Sequence, residues 1–162
     1  MRGNVRVVTK PSPEQIRASI ESRNILALDP GTTTGWASFE KPNNRDGYRS
    51  GQIPNGAVGV WMSLEFDEVL RGIPDTIVCE SFQYRPKLDK AVLEPVEVIG
   101  AAKVWAYIHE VKMVFQTPAM RMWWTDERLK QMDLYKPGHP HANDAMRHLL
   151  YYLDVLPPKP EG

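Results

Sequence analysis

A single cysteine stands in the 162 residues, so no disulfide can form within the chain, and a reducing compartment, the cytoplasm, is expected. No apolar run approaches the length needed to span a bilayer, and the first residues lack the charged-then-apolar pattern of a secretory signal. Net charge is also missing. Twenty Lys and Arg balance twenty Asp and Glu, so an electrostatic footprint for nucleic acid must be a local patch offset by acid elsewhere. There is no internal repeat and no low-complexity block. What is present is ordinary for a soluble globular protein: 42% hydrophobic and 25% charged residues, in a length that suits one compact domain with a sufficient core.

Residues 1–23 read as an extension. Ser12 suits an N-cap and Pro13 a first helical position, and Ile16 and Ile20 share a face, which predicts a short helix over Pro13–Ser22. Asn24–Leu28 is a short apolar run that meets Asp29-Pro30-Gly31, the pattern of a buried strand entering a tight turn. Gly35–Glu40 and Tyr48–Ile53, separated by the polar stretch Lys41–Asp46, complete a three-strand meander. A helix over Gly56–Arg71 is broken by Pro74-Asp75 and followed by a fourth strand, Thr76–Cys79, ending at Glu80. After a charged, aromatic loop, Ser81–Lys90, the next helix is Pro95–Glu110, with Val98, Ala101, Ala102, Trp105 and Ile108 at helical spacing. Met113–Phe115 is a fifth strand, Pro118–Met132 is helical in part, and His141–Leu153 is a closing amphipathic helix. The tail, 157–162, is too rich in proline to pack. The order β-β-β-α-β-α-β-α predicts an α/β fold, a mixed five-stranded sheet flanked by helices, over residues 24–156.

Three acids stand at informative places. Asp29 and Glu80 end the first and fourth strands, and Asp144 lies in the last helix. Sites in α/β folds are built where strands end. If those two strands are neighbours, two carboxylates about 4 Å apart repel by about 4 kcal/mol at an effective dielectric near 20, and need a proton or a cation between them. Hard oxygen donors select Mg²⁺ or Mn²⁺, and two such ions can serve phosphodiester cleavage. His141, three residues before Asp144, projects from the same helical face and is a further ligand or a proton shuttle. Each residue also has a local explanation: Asp29 as a turn former before Pro-Gly, Glu80 as a solvated strand end, His141 as a wet helix start, and Asp144 as a partner of Arg147 or His148. The joint pattern, more than any single position, points to chemistry.

Ile25-Leu26-Ala27-Leu28-Asp29-Pro30-Gly31 with Thr34-Gly35-Trp36 resembles the opening strand and turn of RuvC-type Holliday-junction resolvases. Val78-Cys79-Glu80-Ser81-Phe82 is similar to their second acidic motif, and Val98-Ile99-Gly100-Ala101-Ala102 to the helix after it. Gln116-Thr117-Pro118 resembles the strand end before their DNA-contacting region, and His141-Ala142-Asn143-Asp144-Ala145 their final motif. These segments run in the family's order from Asn24 to Leu153. The resemblance, to a divergent phage or bacterial member, implies a ribonuclease H-like fold and a divalent-metal endonuclease that nicks four-way DNA junctions symmetrically as a homodimer. It implies that Asp29, Glu80, His141 and Asp144 are the catalytic and metal-binding set, with Mg²⁺ or Mn²⁺, two ions per site. It also implies an aromatic that disturbs base stacking, for which Phe82 and Tyr84 are the nearest matches.

The glycine- and lysine-containing segment that the family carries after its fifth strand is not recognisable. Ala119–Lys136, with Trp123-Trp124, takes its place. Candidate DNA contacts are therefore Arg121, Lys130 and Lys136, with Arg85, Lys87 and Lys90 in the loop after Glu80. For dimerisation, Val98, Ala102, Trp105 and the Gly100-Ala101 pair are the candidate surface, with Ile16 and Ile20 adding area. Other readings are a nuclease for other branched DNA or RNA–DNA hybrids on the same site, a non-catalytic DNA-binding relative, and an actin-like or sugar-kinase phosphate loop at Asp29–Thr33. The last needs a second such domain and phosphate loop, and neither is found.

Overall fold

The computed structural model describes residues 24–40, 47–66, 71–83 and 93–154. The expected helix over Pro13–Ser22, the polar stretch Lys41–Asp46, the loop residues 84–92 and the tail 157–162 lie outside them.

Five strands form one sheet in the order β3-β2-β1-β4-β5. They are β1 (Ile25–Asp29), β2 (Thr34–Phe39), β3 (Tyr48–Ile53), β4 (Thr76–Glu80) and β5 (Lys112–Gln116). The first three pair antiparallel as the expected meander, while β4 joins β1 and β5 joins β4 in parallel. A central strand between an antiparallel and a parallel neighbour, with helices on both faces, is buried on both sides. Every residue of β1 is buried, which is why it reads as a continuous apolar run rather than an alternation.

Alternate residues divide the core into two layers. Leu26, Leu28, Ile77 and Cys79 point to one face and pack under α1 (Gly56–Glu65) and α2 (Leu93–Ile108), against Leu64, Val98 and Trp105. Ile25, Ala27, Ala37 and Val78 point to the other face and pack under α4 (Pro140–Asp154), against Ala145, Met146 and Leu149. Between β5 and α4 the chain makes a 3-10 helix, Pro118–Trp123, and the short α3 (Asp126–Gln131), whose N-cap Thr125 accepts the Arg128 N–H at 3.4 Å. No helix among the described residues is long and apolar enough to cross a membrane.

Two expectations on α2 change. The helix begins at Leu93, which places Pro95 in its first turn, where a missing N–H costs nothing. Its inner face is Val98, Ile99, Ala102, Trp105 and Ala106, while Ile108 is 59% exposed. Val98, Ala102 and Trp105, the expected partner surface, are thus consumed by the chain's own core. The large apolar residues left outside are Leu93, Val96, Val104, Tyr107 and Ile108.

Candidate active site

Parity along the strands decides which side chains meet. Asp29 shares a face with Ile25 and Ala27, and Glu80 shares one with Val78, so both carboxylates emerge on the α4 side. Leu28 pairs with Cys79, which ends β1 and β4 side by side at Asp29 and Glu80. Asp29 lies opposite Gly35, Gly35 opposite Gln52, and Glu80 opposite Gln116. One row across all five strands therefore carries Gln52, Gly35, Asp29, Glu80 and Gln116.

The last helix lies over this row. A Cβ at Gly35 would stand 1.8 Å from the His141 carbonyl oxygen, so only glycine lets the start of α4 come down onto β2. The Gln52 side chain accepts the His141 N–H at 3.2 Å from the next strand. That docking sets His141 Nδ1 3.1 Å from Asp29 Oδ2. Three and seven residues later, on the same face, follow Asp144 and His148. His148 is fully buried, with Nε2 2.7 Å from Glu80 Oε2 and Nδ1 2.8 Å from the Gln116 side-chain amide. The polar stripe of α4 is therefore not turned away from the sheet. It faces the strand ends while Ala145 and Leu149 cover the strand middles.

Two guanidinium groups close the cluster. Arg121, from the 3-10 helix, places Nε 3.3 Å from Glu80 Oε2 and Nη1 2.6 Å from Asp144 Oδ2. Arg147 Nη1 donates to the other Asp144 oxygen, its Nη2 pairs with Asp126, and its Nε donates to the Trp124 carbonyl at 2.7 Å. The local pairing of Asp144 with Arg147 is thus present, yet it forms part of a network only 15% to 18% exposed at those two side chains. Burial works against the charge of Arg121, but the Glu80 and Asp144 carboxylates outweigh it and hold the guanidinium more firmly protonated than usual.

Asp29 bears the cost of the arrangement. Burial above all, and then the Glu80 charge, push its carboxyl from 3.8 up to about 6, against the opposing hydrogen bond from His141. A carboxyl group poised in this way at a strand end is a recurrent mark of a functional site. Cys79, one residue before Glu80, is pushed up to about 12, mainly by burial, and is an inert core thiol.

The donor set suits a hard divalent cation: three carboxylates on one part-buried patch, an adjoining imidazole, and an excess of negative charge that two guanidinium groups partly offset. As the side chains stand, no three His, Cys, Asp or Glu among the described residues converge tightly enough to grip one ion. Both oxygens of Asp144 are engaged by arginines.

Of the candidate DNA contacts, Phe82 lines a cleft of about 230 Å³ beside Glu80, together with Pro30, Ile99, Pro118 and Arg121. Arg121, assigned from sequence only as a scattered basic residue, lies within the acidic cluster itself. Lys130 lies over the Tyr135 ring at 4.8 Å, and Lys136 donates to the Ser50 carbonyl on β3. Tyr84, Arg85, Lys87 and Lys90 lie outside the described residues. Sequence reasoning missed His148, Gln116, Gln52 and Arg147 as site residues. The spacing His141, Asp144, His148 was the available signal for the first of them.

No protein-family model and no curated protein matches this sequence. Among solved structures, Thermus thermophilus RuvC in complex with a Holliday junction substrate superposes with a TM-score of 0.60 at 15% identity, over 80% of this chain and 92% of that one. A second Thermus thermophilus RuvC structure does so with a TM-score of 0.55 at 15% identity, over 80% and 93%. At that identity the likeness is one of architecture: this chain has the RuvC-type, ribonuclease H-like fold, a mixed five-stranded sheet flanked by helices.

Proposed function

We propose that this chain is a divalent-metal-dependent DNA endonuclease that cuts branched DNA, with the four-way junction as its substrate. The observation that carries the reading is the convergence of Asp29, Glu80, Asp144 and His141 at the sheet edge, with the Asp29 carboxyl raised to about 6. Holding the Asp29 carboxyl in this buried place costs stability even with the arginines nearby, and the cost is understandable where the site has to bind a cation. The Holliday junction bound by one of the similar structures supports the choice of substrate.

Asp29, Glu80, Asp144 and His141 would hold Mg²⁺ or Mn²⁺, which supplies activation of water and neutralisation of the departing oxygen. The residues themselves orient and shuttle. The Asp29 carboxylate holds the His141 ring through Nδ1, and that ring is 45% exposed, so it can take a proton arriving from solvent. Arg121, 36% exposed and charged, is placed to meet a phosphate as well as the acids. Phe82 and its cleft would receive the nucleotide beside the cut. The exposed Val96, Val104 and Tyr107 of α2 offer an apolar face on which a second copy would give the two-fold enzyme that a two-fold junction calls for.

The test is cleavage of four-way, three-way, flap, linear and RNA–DNA hybrid substrates side by side, in Mg²⁺ and in chelator. Paired nicks in the four-way junction alone, abolished by chelator, are expected. Equal cutting of the other forms would leave a general branched-DNA or hybrid nuclease, and activity in excess chelator would overturn the metal dependence.

A further inference from the structure

We infer that His148 is the positioning residue for Glu80, holding that carboxylate fixed at the strand end beside the candidate cation site; the inference rests on the nuclease reading above. His148 is 0% exposed and sits between Met146 and Leu149 in the apolar layer under α4. A buried imidazole costs stability unless both ring nitrogens are satisfied, and an aliphatic side chain at this place would cost less. Both have a polar partner. Nε2 donates to Glu80 Oε2 at 2.7 Å, and Nδ1 lies 2.8 Å from Gln116 Oε1; with the ring hydrogen on Nε2, Nδ1 accepts from the Gln116 NH₂ once that amide is turned about its last torsion.

The holder is itself held. Gln116 is the register partner of Glu80 on β5, so the sheet fixes the spacing between the two ends of the relay, and α4 inserts the ring between them. A glutamate has three side-chain torsions to lose, and at a strand end only 16% exposed this one is restrained from below by His148 and from the side by Arg121. Arg121 is the weaker restraint. It lies at 3.3 Å, on a 3-10 helix with no buried residue, and it also serves Asp144. His148 is therefore what keeps Glu80 in place whatever Arg121 does. Outer partners of ligating groups set the affinity for the metal, and their loss costs about 10- to 100-fold.

The experiment is a Mn²⁺ titration of the DNA-free protein, followed by electron paramagnetic resonance of the free ion, on wild type, Glu80→Gln, His148→Leu, His148→Gln and Gln116→Leu. Wild type is expected to bind and Glu80→Gln to lose binding. His148→Leu should weaken it about 10- to 100-fold, and His148→Gln, whose amide N–H can still reach Glu80, should recover most of the loss. A His148→Leu protein that melts cooperatively and binds Mn²⁺ as wild type does overturns the role of His148 and leaves the nuclease reading untouched. Should that variant fail to fold, Gln116→Leu decides: weakened binding supports the relay and unchanged binding overturns it. A wild type that binds no Mn²⁺ overturns the cation site, and with it this inference.

Discussion

The two faces of the sheet use the same strands for opposite ends. Toward α1 and α2 the alternate residues are Leu26, Leu28, Ile77 and Cys79, apolar along the whole length, under Trp105, whose indole N–H donates to Glu65 at 3.1 Å. Toward α4 the residues begin the same way, with Ile25, Ala27 and Val78, and turn polar in the last row at Asp29, Glu80 and Gln116. One face gains stability from burial. The other gives some of it up to keep charged groups apart from water and close to each other.

Substitutions should separate the faces. The largest effect belongs to the α4 side: Asp29→Asn, Glu80→Gln or Asp144→Asn should each reduce cleavage by on the order of 10³-fold, the scale of losing a preorganised charge, while junction binding measured by mobility shift persists. Retained turnover in any of them would remove that residue from the site. On the α2 side, Trp105→Ala should cost about 3–5 kcal/mol in urea unfolding, with Mn²⁺ affinity unchanged in the protein that remains folded. Altered affinity would show the two layers to be coupled.

Asp29 ties the comparison to pH. Its folded value, about 6, lies above 3.8, so the folded protein keeps a proton that the unfolded chain releases first. The contribution to stability is therefore lost as pH rises from about 4 to about 6 and stays lost above. In chelator, wild type should lose about 2 kcal/mol relative to Asp29→Asn between roughly pH 4.5 and 7.5. A pH-independent difference between the two would mean that Asp29 is not strained. A stability loss of about 1–3 kcal/mol or more is expected for Gly35→Ala, which drives a Cβ into the His141 carbonyl. Its loss of cleavage should exceed its loss of stability, because α4 is lifted at the end that carries His141. A variant with normal cleavage would show that helix and strand can part without cost.

The strands and most helices were legible because each is a local pattern: the unbroken apolar run before Asp29, the polar stretch between the meander strands, the proline breaks. Asp29, Glu80, His141 and Asp144 were legible for the same reason, as acids at strand ends and a motif at helical spacing. Arg121 was not. Its segment, Pro118–Trp123, contains no buried residue, so no periodicity marks which side of it faces the acids. His148 reads in the sequence only as a surface partner of Asp144, because nothing in its local stretch shows that the sheet buries it.

Residue order by itself determined most of the elements and the placing of the three acids on them, since propensity, spacing and turn chemistry act over a few residues. The tertiary structure alone decided that Asp29 and Glu80 stand side by side, that Gly35 admits α4, that Gln116 meets Glu80 through His148, and that two arginines neutralise Asp144. Those contacts join residues 23 to 106 positions apart, except the i,i+3 pair of Arg147 with Asp144. Their partners are chosen by strand parity and helix placement, which no local stretch of sequence contains.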